Sequence, residues 1–168
     1  MGLLKYVRIE PVGPSLNQKL YRKVFYDCIS KIVLIMMVFL GGTVNGSKWR
    51  DELIPKLKID YFNPVVDEWN EKAMQAEEDA KDKSDYLLFV LTPKLEGFYS
   101  IAEAVDASIK HPQKTVICVL DSDDGNGWTA HQIKSLKKIE DLISSNGGTV
   151  MDSLDELVLF LNGHSLEV

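Results

Sequence analysis

The sequence is poor in the residues from which disulfides and metal sites are built. Only two cysteines, Cys28 and Cys118, occur in 168 residues, and they lie far apart in the chain. The three histidines are also scattered, so no group of His, Cys and Asp residues has the spacing of metal ligands. We therefore expect no metal site, and we interpret both cysteines as buried thiols in preference to a disulfide.

The sequence also lacks a long hydrophobic run and an excess of positive charge. Its longest apolar run, Ile32 to Leu40, is much shorter than the ~20 residues of a membrane span. It lies behind several charged residues, unlike the apolar core of a signal peptide. The net charge of −6 argues against the clustered Lys and Arg that nucleic acid polymers require. We expect a cytoplasmic protein that binds neither a membrane nor a nucleic acid polymer.

From residue 31 onward, apolar segments alternate with segments that have a helical pattern. We predict strands at residues 32–40, 59–62, 86–91, 115–120 and 149–151. We predict helices from an N-cap at Ser47, and at about 68–83, 100–110, 130–145 and 153–161. Such alternation is typical of right-handed βαβ crossovers. The predicted fold is α/β: a flavodoxin-like (Rossmann-like) open sheet of five parallel strands, with the first strand central and helices on both faces.

The chain divides into three regions on this pattern. Residues 1–30 carry Pro11, Gly13 and Pro14 and form an N-terminal extension that could contain one helix. Residues 31–162 form the α/β domain. Residues 163–168 form a tail that could be a remnant of cloning, and we assign it no role.

Ligands of open parallel sheets bind beyond the carboxyl ends of the strands. This rule selects four loops, at residues 41–48, 63–69, 92–100 and 121–128. The first of them opens with two glycines, which would let a ligand approach the backbone closely but would equally suit a tight turn without a ligand. The loop matches neither the dinucleotide fingerprint nor the Walker motif.

Glu103 is the most informative polar residue at this edge. It follows a loop of small and aromatic residues and is expected on the first turn of the helix after the third strand. From there its side chain would point back toward the loop, and the helix dipole would help to keep it ionised. A rigid, ionised carboxylate beside a pocket is suited to act as a glycosyl-transferring nucleophile. The alternative is a solvated or helix-capping glutamate.

Several segments together resemble the nucleoside 2-deoxyribosyltransferase-like family. They span about residues 32–125 and comprise Phe39-Leu40-Gly41-Gly42-Thr43 followed by Trp49, Tyr61-Phe62-Asn63-Pro64 followed by Asp67-Glu68-Trp69, Glu77 eight residues before Asp85, the junction from Ser84 to Val90, and the loop that ends in Glu103. An arginine usually follows the Asn-Pro pair in this family, whereas Val65 and Val66 follow it here.

The resemblance implies a function in nucleoside or nucleotide chemistry. Glu103 would attack C1′ of a deoxyribonucleoside, and a second base (transfer) or water (hydrolysis) would release the sugar. Glu77 would assist protonation of the leaving base, although it could equally be a solvated residue of a charged helix. The substrate-binding residues would be Gly41, Gly42, Thr43, Asn63, Asp67, Gly97 and Ser100.

A second hypothesis keeps the scaffold but not the reaction. The chain would then be a non-catalytic nucleotide-binding or signalling module, in which Glu103 only contacts ribose hydroxyls, because fold alone does not decide function. In either case we expect a homo-oligomer that binds a nucleoside or nucleotide and needs no cofactor.

Overall fold

The computed structural model describes residues 36–68 and 70–163, and these contain a five-stranded parallel sheet. Its strands are β1 (Met37–Gly42), β2 (Asp60–Phe62), β3 (Tyr86–Leu91), β4 (Thr115–Val119) and β7 (Thr149–Met151); β5 (Ser122–Asp123) and β6 (Asn126–Gly127) form a separate hairpin. The order in the sheet is β2-β1-β3-β4-β7. The predicted flavodoxin-like sheet is therefore confirmed. β1 is an inner strand, and β3 has the middle position.

Within the described residues, five α-helices pack on the two faces of this sheet. They are α1 (Trp49–Leu53), α2 (Glu71–Lys83), α3 (Tyr99–Lys110), α4 (Ala130–Ser145) and α5 (Leu154–Gly163), with single 3₁₀ turns at Ile54–Lys56 and Pro112–Lys114. Alternate strand residues face opposite sides. Leu88 and Val90 pack against α1 and α5, whereas Leu87, Phe89 and Leu91 pack against α2, α3 and α4. Both faces of β3 are consequently buried, which explains its uninterrupted apolar sequence.

Several element ends differ from the prediction. β1 begins at Met37 and runs through both glycines, because its pairing with β2 begins there and its pairing with β3 extends to Gly42. α1 has Lys48 as its N-cap, while the Ser47 hydroxyl donates a hydrogen bond to Asp123. α2 begins at Glu71, since Asn70 caps it. The proposed extension at residues 1–30, the start of the proposed first strand at 32–35 and the tail residues 164–168 lie outside the described residues.

The two glycines of β1 are required by the close approach of β1 to β3. Gly42 has a φ of +110°, and a Cβ at this position would lie 2.0 Å from the carbonyl oxygen of Val90. A Cβ on Gly41 would lie 2.8 Å from the ring of Phe89. The fold therefore needs both glycines, whether or not a ligand is bound.

Two predictions from composition concern the described residues. Cys118 is a free, buried thiol, as expected, and burial raises its pKa to about 12; Cys28 lies outside the described part. Within residues 36–68 and 70–163, no helix has the length and apolar character needed to cross a bilayer.

Candidate active site

A cleft of about 360 Å³ lies beyond the carboxyl ends of β1 and β3, at the predicted edge of the sheet. Six segments line it: the end of β1 with the loop after it, residues 64–66 after β2, the loop before α3, one side chain each from α1 and α2, and three residues of α3. Its volume lies within the range of small-molecule sites, about 300–1,000 Å³. The fold thus provides a ligand-sized cleft at the carboxyl ends of the strands.

Two carboxylates share one ammonium group in this cleft. The Nζ atom of Lys81 lies 2.6 Å from Oε1 of Glu103 and 2.7 Å from Oε1 of Glu77. The exposed fractions of the three side chains are small: 17% for Lys81, 16% for Glu103 and 13% for Glu77. Lys81 also contacts Glu78 at 3.2 Å, but that side chain is 68% exposed. Water therefore weakens the interaction with Glu78 more than the other two.

Burial and the shared charge act in opposite directions on this cluster. Burial raises the pKa of the Glu103 carboxyl, and the Lys81 ammonium opposes that increase. Burial disfavours the charge on Lys81, but hydrogen bonds to Glu103 and Glu77 outweigh it and raise the pKa of the lysine. Lys81 therefore carries its charge at neutral pH and is the counterion that favours an ionised Glu103.

The expected source of that stabilisation, the helix dipole, was wrong. α3 begins at Tyr99, so Glu103 is its fifth residue, and no acidic residue lies in the first turn. The dipole effect falls off within the first turn. The positive group beside Glu103 is instead a side chain of the neighbouring helix α2.

Six of the nine predicted site residues line the cleft, namely Gly41, Gly42, Glu77, Gly97, Ser100 and Glu103. Thr43 does not: it is buried, and its hydroxyl accepts a hydrogen bond from the backbone N–H of Thr92. Asn63 and Asp67 are exposed and do not line the cleft. The side chain of Asn63 accepts a hydrogen bond from the N–H of Val65. The residues that follow Asn63, Pro64 to Val66, line the cleft in its place.

Sequence reasoning missed two basic residues of the site, Lys81 and Arg50. Lys81 lies four residues after Glu77, a spacing that places both on one face of α2 and was the available signal. Arg50 lines the cleft from α1, yet only 6% of it is exposed. Its guanidinium donates hydrogen bonds to the carbonyls of Leu40 and Thr43. Burial lowers the pKa of Arg50 to about 10.

One aromatic residue, Tyr99, has the position to contact a ligand. It lines the cleft and is 73% exposed, whereas its exposed neighbour Phe98 does not line it. Trp49 is buried in the core, and the indole N–H of Trp128 donates to the carbonyl of Leu120. Trp69 lies outside the described residues.

Metal ligation is not indicated in the part of the chain that the structure describes, where no three His, Cys, Asp or Glu side chains are arranged to hold an ion.

The family model "Nucleoside 2-deoxyribosyltransferase like" matches residues 35–122, more than half of the chain. The chain belongs to this family. The match contains the cleft residues from β1 to Glu103, including Arg50, and it also contains Lys81, the counterion of the two cleft glutamates. No curated protein matches the chain significantly. Membership supports a role in glycosyl transfer or related nucleoside chemistry.

Proposed function

We propose that the protein breaks the N-glycosidic bond of a deoxyribonucleoside or its nucleotide, with Glu103 as a carboxylate nucleophile. The observation that carries the proposal is the environment of Glu103, a mostly buried carboxylate that lines the cleft and is held by Lys81 at 2.6 Å. Its Oε1 atom accepts the hydrogen bond from Lys81. Its Oε2 atom accepts none from the described residues and is available to attack a sugar.

The reaction has two displacements at the anomeric carbon. In the first, a carboxylate oxygen of Glu103 forms a bond to C1′, and the C1′–N bond breaks with its electron pair passing to the base. In the second, a nitrogen of another base, or a water oxygen, displaces Glu103 and restores the carboxylate. Both displacements pass through a state with positive charge on the sugar ring. The negative charge of Glu103 stabilises that state.

Glu77 is the proposed proton donor to the departing base. In its protonated form it would give a proton to the base nitrogen as the bond breaks, and it would regain a proton from the attacking water or base nitrogen in the second displacement. Its side chain lines the same cleft as Glu103 and is only 13% exposed. Retaining glycosidases keep their two carboxyl groups about 5–5.5 Å apart, closer than inverting enzymes. Two carboxylates that share one ammonium are close, which favours the covalent route.

The test is release of free base from a panel of deoxynucleosides and their 5′-monophosphates, followed by liquid chromatography. We expect release from at least one of them without added metal, and formation of a new nucleoside if a second base is an acceptor. A control reaction without protein corrects for spontaneous hydrolysis. Tight binding of a panel member with no base release would contradict the proposal and favour the non-catalytic module.

Tyr99 is expected to contribute to substrate binding by stacking on the base. Replacement by alanine should raise KM about tenfold and change kcat less, because base–aromatic stacking contributes about 1–3 kcal/mol. Phe98→Ala is the matched control, since Phe98 is the adjacent aromatic residue, is 78% exposed and does not line the cleft. Steady-state kinetics of both variants would decide. Equal KM values for the two variants would rule out a role for Tyr99.

A further inference from the structure

Arg50 carries a buried positive charge that the described residues leave without a negative partner. The residue is 6% exposed, and no carboxylate of the described part lies within ion-pair distance of it. Its neighbours on α1, Asp51 and Glu52, are exposed. A buried charge is costly unless a counterion or hydrogen bonds compensate it. Here only two carbonyl oxygens and the ring of Trp49, 4.2 Å from the guanidinium carbon, do so.

The guanidinium of Arg50 also has N–H groups that donate to no acceptor among the described residues. Its Nε and Nη2 atoms donate to the carbonyl of Leu40, at 3.3 and 2.9 Å, and Nη1 donates to that of Thr43 at 2.7 Å. A guanidinium has five N–H groups. One N–H on each terminal nitrogen is therefore left without an acceptor among the described residues, and the side chain lines the cleft.

The other charged groups of the cleft sum to one negative charge, so that together with Arg50 the cleft is neutral. The charged side chains that line it are Arg50, Glu77 and Glu103, and Lys81 is the counterion of both glutamates. When Glu103 becomes an ester in the proposed reaction, one negative charge disappears and the cleft has one positive charge in excess. An anion bound at Arg50 would balance this charge at the stage when the ester forms.

We propose that the preferred substrate is a deoxyribonucleoside 5′-monophosphate, and that Arg50 binds its phosphate; this inference rests on the proposed function. The planar guanidinium fork matches two phosphate oxygens, which gives Arg an advantage over Lys at such sites. The cleft volume of about 360 Å³ is ample for a ligand of this class. The free nucleoside would leave Arg50 without a direct anionic partner.

The first experiment uses the wild-type protein and needs no variant. We compare kcat/KM for base release from a deoxynucleoside and from its 5′-monophosphate, with the same base. We expect a preference for the monophosphate on the order of a hundredfold, because a site built for a polar group rejects the analogue that lacks it. Inorganic phosphate should inhibit competitively. Equal rates with the two substrates would overturn the inference and leave the proposed function intact.

The second experiment measures binding in the absence of turnover. Calorimetric titration of Glu103→Gln with the deoxynucleoside and with its 5′-monophosphate should show tighter binding of the monophosphate. This result does not depend on base release by the wild-type protein. The phosphate inference and the proposed function can therefore fail independently. Arg50→Gln should reduce the preference to a few-fold, whereas Arg50→Lys, which keeps the charge, should retain part of it. Circular dichroism checks that both variants are folded. Equal affinities for nucleoside and monophosphate in the titration would also overturn the inference.

Discussion

Glu103→Gln should reduce turnover of a substrate by about three or more orders of magnitude, the scale of loss when an essential nucleophile is removed. Glutamine has nearly the same shape, and its carbonyl oxygen can still accept the hydrogen bond from Lys81. It cannot form a stable glycosyl ester, and it lacks the negative charge that stabilises the charged sugar. The measurement is kcat/KM for base release, with the thermal midpoint to show that the fold is retained.

Glu78→Gln is the matched control for this substitution. Glu78 also contacts Lys81, at 3.2 Å, but its side chain is 68% exposed and does not line the 360 Å³ cleft. Like Glu103→Gln, Glu78→Gln removes one negative charge beside Lys81. Near-normal activity of Glu78→Gln would therefore show that Glu103→Gln loses turnover because the nucleophile is missing. A 2-fluoro-deoxyribosyl substrate should add the mass of one sugar to wild type at Glu103. Attachment at Glu77, or normal turnover by Glu103→Gln, would refute the assignment.

The parts of the fold that were predicted correctly are those with a strong local pattern. β3 has the predicted bounds because it is a continuous apolar run, and α4 because its sequence has the period of an amphipathic helix. The short strand β7 has the predicted bounds as well. Among the described residues β1 begins at Met37, where its register with β2 begins, whereas hydrophobicity alone predicts an earlier start. Strand ends are set by partners, and these are distant in sequence.

The same distinction applies to the candidate site. Strand-end reasoning predicted the edge of the sheet at which the cleft lies, and the glycines and Glu103 line this cleft. The contact between Lys81 and Glu103 joins residues 22 positions apart on two helices, and no local period reports it. Thr43 was misplaced for a related reason: its hydroxyl is engaged by the backbone of Thr92, 49 positions away. Long-range contacts of this kind require the assembled fold.

Lys81→Met should move the acid limb of the pH profile of kcat/KM to higher pH. Burial already raises the pKa of Glu103, and Lys81 is the group that opposes this increase. Without the ammonium the pKa rises further, and the ionised nucleophile is populated only at higher pH. We expect activity at neutral pH to fall and to recover in part under alkaline conditions, because a smaller fraction of Glu103 is ionised at neutral pH when its pKa is higher. The measurement is kcat/KM for base release across the pH range.

The stability of Lys81→Met should depend on pH in a direction that follows from the raised pKa of Glu103. Removal of Lys81 from this mostly buried cluster should lower the free energy of unfolding by about 2 kcal/mol, because hydrogen bonds to charged groups are lost. A carboxyl whose pKa is higher in the folded than in the unfolded protein takes up a proton on folding, so the folded state loses stability as the pH rises through that interval. The difference in free energy of unfolding between wild type and Lys81→Met should therefore become smaller as the pH falls from neutral to weakly acidic. Urea unfolding of both proteins at each pH measures it.

Two substitutions separate this explanation from a general loss of packing. Lys81→Arg keeps the positive charge, so its acid limb should lie near that of wild type even if its rate is lower. Lys83→Met removes a lysine from the same helix, but that side chain is 72% exposed and lies 4.0 Å from Asp79. It should change neither the pH profile nor the free energy of unfolding by more than a few tenths of a kcal/mol, as is usual for exposed pairs. An unshifted acid limb in Lys81→Met would show that Lys81 does not control the ionisation of Glu103.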